Sequence, residues 1–484
     1  FAAQLLADWV DRGLLEPSPT GFRLREEGVE LPMPDDLHDP WHVRINRLLR
    51  GKDDWVIPLE LAAVLGVRVH TREWSKMCRL AGHTVPRRLL TAMLQNRYVL
   101  NDEASRGRSW QFAHSMFREA VLKQAEQGGR LEGHHAIAVQ MLSDATGGRR
   151  MARLAWHMLG AGQTLDAIDP LLQGAEACLV DGDHDEATRL VEAREQTMVV
   201  EGVRPSDTRW GRGWLLRARL HSREGEWKDA SEWARKTVET ARDWGWRDLE
   251  IEGLALLASN MRDSDAATAR KVLARAKTLV GEGVGGRSKA TVGILAAELA
   301  RQTGHLEEAA KWGRRALGLA KQAGSDLIPQ ALRSIILVEI ERGHPAQALR
   351  LVEEAERLAR DNGSRYDLAQ AMFLRGHTNR VAGDLVAAEE ALEEAWQVSQ
   401  AIADPNRMVV KACLGLLYVE RGRVGPARAE FRACLRSHVQ QAHIWAHLGM
   451  LVAAADDPDD TLWAAHFEPL VQYLERGWSD PAIA

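Results

Sequence analysis

The sequence predicts an all-α chain: a solenoid of stacked helical hairpins behind a smaller N-terminal domain of different construction. Two observations carry this. A glycine, a polar or basic residue, three variable positions and an alanine recur at Gly182–Ala187, Gly225–Ala230, Gly304–Ala309, Gly343–Ala348, Gly383–Ala388 and Gly422–Ala427. Ser264–Ala269 fills the gap, so the successive steps are 43, 39, 40, 39, 40 and 39 residues. The length of 484 residues exceeds the ~100–200 residues that one core organises, and a repeat array meets that difficulty by letting each unit bury the face of its neighbour.

In chain order, Phe1–Val10 reads as a helix without the basic start and cleavage site of a signal peptide, which leads to the expectation that the chain is a piece of something longer. Residues 1–38 are set apart from residues 39–149, and Asp35–Arg50, opened by Pro32 and Pro34, reads as a helix across that boundary. Apolar periodicity then marks Pro58–Leu65, Thr71–Leu80 and Pro86–Gln95. Tyr98–Leu100, polar Asn101–Arg108 and Trp110–Phe112 form an expected hairpin leading into a helix over His114–Glu126. Helices followed by a hairpin give a winged-helix outline. From residue 150 to 476 the repeats take over, with residues 477–484 a tail after Gly477.

One unit, Gly376 to Ala395, shows how the pattern makes a hairpin. Gly383 ends the first helix because it accepts a left-handed backbone, and Asp384 is placed to cap the second. Gly376, Ala388 and Ala395 let the two helices approach, while Leu392 fills the interface. Gly415, Tyr418, Ala427 and Phe431 repeat the scheme with both aromatic positions occupied.

These residues resemble the tetratricopeptide motif, most closely at Gly376–Ala395 and Gly415–Cys434 and least at Arg247–Leu279. The resemblance implies a right-handed superhelical solenoid of about eight helix pairs. The step of about 40 residues departs from the family's ~34 and is similar to the long-helix variants in bacterial signalling ATPases and maltose-type transcription activators. From Gly415 to Gly449 the step returns to 34, and a closing pair is expected at 438–476. A second resemblance rests on Trp110-Gln-Phe112-Ala-His114-Ser-Met-Phe-Arg118-Glu119-Ala120, which is similar to the signature behind the nucleotide core of bacterial STAND-type ATPases, including those linked to Ser/Thr kinases. Phe1 to Leu5, Gly13 to Glu16 and Leu31 to His38 look like the end of such an ATPase and its linker. This implies a cytoplasmic signalling protein in which ATP acts only through an upstream domain, and in which the winged-helix segment serves as a hinge.

Several chemistries are set aside. The net charge of −5 and pI near 6.4 offer no broad attraction to nucleic acid or anionic lipid, and residues 84–97 lack a Lys/Arg-rich recognition helix. No apolar stretch approaches the ~18 residues of a membrane span. Cys78, Cys178, Cys413 and Cys434 lack paired spacing and read as buried thiols. Gly281–Ser288 nearly spells a phosphate-binding loop, but Arg287 replaces the lysine and no strand precedes it, so it reads as a turn between repeats. His443 and His447, with His438 nearby, would need a third ligand such as Asp456 or His466 to hold a metal, and read as helix surface. His134 and His135 read as ordinary helix residues, His114 as a packing group, and Glu389, Glu390, Glu393 and Glu394 as solvated helix faces. No catalytic residue, metal or cofactor is assigned.

Tryptophan stands out. Six of seventeen, Trp210, Trp214, Trp227, Trp233, Trp244 and Trp246, fall within 37 residues, beside Arg209, Arg212, Arg217 and Arg219. The six tryptophans with Arg217 are the candidate groove for a protein or peptide partner, anchors of the kind that concave repeat faces use; the alternative for the same residues is filler between long helices. The functional expectation is therefore a non-catalytic interaction and sensing region, the rival being a small-molecule effector domain of a transcription activator.

Overall fold

The computed structural model describes residues 15–18, 21–24, 39–102, 105, 107–144, 148–261, 265–324, 326–402, 404, 406–437, 439–454 and 460–475. The turn expected at Ser264, the segments Phe1–Val10 and Leu31–His38, and His438, Asp456 and Gly477 lie outside these. The chain divides into two compact units, Phe1–Pro170 and Leu171–Ala484, with the boundary inside one helix.

In the first unit, strands β1 (Leu15–Ser18) and β2 (Gly21–Leu24) pair antiparallel. Helix α1 (Asp39–Leu49) is followed by α2 (Val56–Leu65), strand β3 (Arg68–His70), α3 (Thr71–Leu80), α4 (Arg87–Gln95), β4 (Val99–Asn101), β5 (Ser109–Phe112), α5 (Ser115–Gln127), α6 (Leu131–Leu142) and α7 (Gly148–Gly160). The expected hairpin gains a third strand, giving an antiparallel sheet of order β3–β5–β4 in which Val69 faces Trp110 and Val99 faces Phe112. Three residues are too few to show a period of two, so β3 left no pattern to read. The sheet is held down by aromatic packing. Trp110 meets Trp74 and Phe112 edge-on at 5.3 Å each, and Tyr98 stacks on Phe117 at 4.6 Å. Trp74 also donates to the Pro58 carbonyl at 2.7 Å, satisfying its buried N–H.

Helix α8 (Thr164–Asp181) crosses the boundary, and α9 (His184–Val200) follows it after the Gly182 turn. Seven packed hairpins then follow among the described residues: α10 (Thr208–Glu224) with α11 (Trp227–Trp244), α12 (Arg247–Met261) with α13 (Ala266–Leu279), α14 (Gly286–Gln302) with α15 (Leu306–Gln322), α16 (Ile328–Glu341) with α17 (Pro345–Asn362), α18 (Arg365–Ala382) with α19 (Leu385–Ala401), α20 (Arg407–Glu420) with α21 (Val424–Leu435), and α22 (Gln440–Val452) with α23 (Asp460–Glu475). The architecture is an all-α repeat solenoid.

The turn glycines do what the spacing requires. Gly225 and Gly383 take φ of 82° and 86° at the ends of α10 and α18, a left-handed backbone that a Cβ resists. Asp183, Asp265 and Asp384 each cap the next helix through a backbone N–H. A second glycine series, missed in the sequence, ends second helices in the same way: Gly202, Gly245, Gly324 and Gly363, all with positive φ. The packing glycines admit neighbours instead. A Cβ on Gly376 would lie 2.6 Å from Leu392, and Cβ atoms on Gly415 and Gly449 would lie 2.4 and 2.1 Å from the ring of Phe431. Phe431 is therefore clamped between α20 and α22, and the step between those two glycines shortens to 34 residues because α21 has 12 residues where α19 has 17.

Candidate functional site

First helices stack on first helices in the second unit, α10 on α12, α12 on α14, α14 on α16, α16 on α18 and α18 on α20. Their shared face carries a ladder of opposite charges. Arg219 of α10 and Arg287 of α14 both reach Glu252 of α12, at 3.1 and 3.3 Å; Arg333 of α16 reaches Glu298 of α14 at 3.3 Å. Arg301 pairs with Glu341, and Arg380 with Glu420. Ser222 donates to Asn260 at 3.1 Å, and Gln370 to Asp404 at 3.1 Å. The partners stand 33 to 40 residues apart in sequence, so each link ties one repeat to the next.

This face looks inward. Arg223, on the last turn of α10, lies 3.4 Å from the ring centre of Tyr366 on the first turn of α18, four hairpins further along. Helices so far apart in the stack meet only if the stack curves around and brings its first helices face to face. The Gly182 turn supports the same curvature, since a Cβ there would lie 3.3 Å from Ile402, at the end of α19. Asp404 is buried there; burial raises its pKa, against the backbone hydrogen bond from Asn406 and the charge of Arg223. Burial also pulls the Arg223 guanidinium down to about 10, which keeps it cationic at neutral pH.

The tryptophan cluster sits elsewhere on α10. Trp210 and Trp214 lie 6.2 Å apart, Arg217 stands 5.0 Å from the Trp233 ring, and Lys236 lies 4.3 Å from Trp214 and 4.6 Å from Trp233. Arg217 also pairs with Glu195 of α9 at 2.8 Å. These residues thus join α10 to the second helices α9 and α11. Arg217 and Arg219 are separated by about 200° of helix rotation, which places the cluster on the far side of α10 from the charge ladder. Trp246 packs against Gly211 and Leu249, while Trp227 and Trp244 are exposed at opposite ends of α11. The structure therefore brings together four of the six tryptophans and Arg217 in two local groups, and leaves two apart.

No protein-family model matches the sequence, and no curated protein matches it. Among solved structures, the chain is similar to a signal transduction ATPase with numerous domains (STAND) carrying a tetratricopeptide repeat sensor, from Pyrococcus horikoshii, with TM-score 0.53 and 13% identity over 92% of this chain and 67% of that one. It is also similar to a Rap protein complexed with competence and sporulation factor, with TM-score 0.48 and 14% identity over 64% of this chain and 88% of that one. The repeats are tetratricopeptide-like.

The charge ladder of this tetratricopeptide-like array left little trace in the sequence, because each of its arginines and glutamates also fits a solvated helix face. The signal that could have found part of it is the recurrence of Arg301 and Arg380 three residues, and of Glu341 and Glu420 two residues, before the turn glycines Gly304, Gly383, Gly343 and Gly422. Other candidates resolve individually. At Gly281–Ser288, Asp248 of α12 occupies the place of a phosphate, accepting from the Gly285 N–H at 3.0 Å and the Ser288 hydroxyl at 2.6 Å. His443 donates its ring N–H to the Ser437 carbonyl at 2.7 Å, whereas His447 meets His466 at 2.9 Å between ring nitrogens. His134 and His135, expected as ordinary helix positions, both have polar partners. His134 contacts buried Glu60 at 2.8 Å beside Arg130, and His135 lies 3.1 Å from His157. Buried Cys413 and His377 stand 3.7 Å apart, but burial pushes the thiol up to about 11 and the imidazole down to about 3, so the pair stays neutral instead of forming a nucleophilic thiolate. His221, Glu226 and Asp229 cluster at the α10–α11 turn with ligand-type atoms close enough for a metal. All four cysteines are buried and outside disulfides.

Proposed function

We propose that the chain is a non-catalytic interaction and sensing region of a bacterial, cytoplasmic STAND-type signalling ATPase of the Ser/Thr kinase-linked kind, and that its repeats bind a protein or peptide partner on the inward face of the first helices. The observation that carries this is the meeting of Arg223 and Tyr366 across four hairpins. A face that curves onto itself surrounds an extended segment and contacts it from several repeats at once, and polar groups pointing into that space supply main-chain hydrogen bonds. The tryptophan cluster, with Trp214 and Trp233 sandwiching Lys236, is read here as the mortar between α9, α10 and α11.

The first unit supports the accompanying hinge role. Its order α2, β3, α3, α4, β4, β5 supports reading it as a winged helix, and α4 carries only Arg87 and Arg88 as cations, both in its first turn. That is a poor electrostatic footprint for DNA. ATP, on this reading, acts through a nucleotide-binding domain of the parent protein.

One observation favours the second reading, a small-molecule effector site: opposite walls come within contact at Arg223 and Tyr366, so the enclosed space is narrow. Selection of displayed peptides against the full chain separates the two. Selected peptides are expected to lose at least tenfold in affinity on Tyr366→Ala and Gln370→Ala; a selection that yields no binder, while small metabolites raise the melting temperature by several degrees, contradicts the peptide reading.

A further inference from the structure

The charge ladder has one exception. Arg219, Arg287, Arg301, Arg333 and Arg380 each pair with a glutamate of a neighbouring first helix. Arg223, one turn beyond Arg219, has no carboxylate within 4.0 Å among the described residues, and its Nη1 is buried without a hydrogen-bond partner. Solvent still reaches part of the side chain. Its guanidinium lies on the face of Tyr366, which fixes the plane and leaves the edge, where the N–H groups point, free to meet a ligand.

We propose that Arg223 anchors a carboxylate-binding subsite inside the repeat array, and that the carboxylate it takes belongs to a short peptide. The planar fork of Arg matches the two oxygens of a carboxylate. An uncompensated buried cation is costly in the empty protein, and an incoming anion relieves that cost. Asp367 and Asp404 act on Arg223 through space without touching it. Asp404 is itself held by the Asn406 N–H at 2.9 Å and by Gln370 at 3.1 Å. With two acids close by that do not pair with Arg223, the neighbourhood favours a carboxylate that arrives with N–H donors of its own, as a peptide does, over a bare inorganic anion. Burial lowers the pKa of Arg223 despite the two acids, the direction expected when their charges do not replace its lost hydration.

The inference rests on the inward face being the ligand face, and the test separates the two. The full chain is dialysed to equilibrium against three synthetic hexapeptide pools: free-acid ends without Asp or Glu, amidated ends without Asp or Glu, and amidated ends with internal Glu. The first or third pool is expected to be retained at least tenfold better than the second. Arg223→Met should erase that preference while leaving the melting temperature unchanged or higher, because an apolar chain of similar length replaces an unpaired charge. Equal retention of all three pools, or a preference that survives Arg223→Met, overturns the subsite and leaves peptide binding standing. Where no pool is retained, acetate and glutarate are titrated by thermal shift. Stabilisation of the wild type but not of Arg223→Met upholds the carboxylate subsite and removes the peptide as its occupant; no stabilisation of either removes both.

Discussion

Adding one methyl group at Gly449 should destabilise the last two hairpins, although the same change at Gly318 should stabilise the array. Phe431 is fully buried, and a Cβ on Gly449 would stand 2.1, 2.5 and 2.7 Å from three of its ring atoms. Ordinary contact needs more than an ångström of extra room, and the ring has nowhere to go: on its other side a Cβ on Gly415 would already lie 2.4 Å away. Overpacking of this kind costs about 1–3 kcal/mol. Alanine returns about 1 kcal/mol of helix propensity relative to glycine, and the overlap is severe enough to place the overpacking cost at the upper end, leaving a net loss of about 2 kcal/mol. Gly318 in α15 is the control, since a Cβ there meets nothing within 4 Å. Gly318→Ala should gain about 0.5–1 kcal/mol. Repeat arrays unfold unit by unit, so amide hydrogen exchange in α20 to α22 is the appropriate readout beside global urea denaturation. If Gly449→Ala protects those helices as well as the wild type does, the clamp on Phe431 is not formed as described.

Acid should loosen the helix pairs α6–α7 and α22–α23, and with them the surroundings of buried His377 on α18. Burial, followed by the charges of His135 and Arg153, holds His157 down at about 3, and burial with His466 and His443 holds His447 at about 4. Both lie below the ordinary 6.5, so the unfolded chain takes up protons first. Stability is full above pH 6.5 and declines as pH falls toward those values. For His157 the loss by pH 5 is about 2 kcal/mol, and His157→Asn should flatten the pH dependence of melting; an unchanged acid limb argues against a buried neutral imidazole. Glu60 has the same sign for another reason: burial would raise it, but the hydrogen bonds and charges of Arg130 and His134 prevail and its pKa is lowered, so Glu60→Gln should weaken the first unit most above the carboxylate range, as urea melts at pH 7 and pH 3.5 would show. Asp248→Ala should cost about 1–2 kcal/mol by freeing the Gly285 N–H and the Ser288 hydroxyl, with ATP failing to shift the melting point of either protein. Trp214→Ala combined with Arg217→Ala should cost about 2–3 kcal/mol, less than the 3–5 of a fully buried tryptophan, while peptide binding persists; loss of binding at wild-type stability would move the site to the outer surface.

The hairpin array was legible because its signals are local and repeated. A turn glycine, a capping Asp and the small residues at Gly376 and Gly415 each act within some twenty residues of chain. What stayed hidden depends on contacts between repeats. Arg223 and Tyr366 are 143 positions apart, and nothing in either local sequence announces that the stack curves far enough to join them. The tryptophans drew attention by number, yet an indole fits equally well as an exposed anchor or as filler between helices, and only the partners of Trp214 and Trp233 show what they touch. Strand β3 escaped for want of length, and the His135–His157 pair because it joins two helices whose registry the sequence does not encode, whereas the sequence already names His466 beside His447.

In the proposed function, ligand binding belongs to the inward face of the first helices. A photoreactive side chain placed at position 366, and separately at position 214, in the presence of a selected peptide tests this directly. Covalent capture at 366 with none at 214 is the expected result; capture at 214 alone would contradict the account.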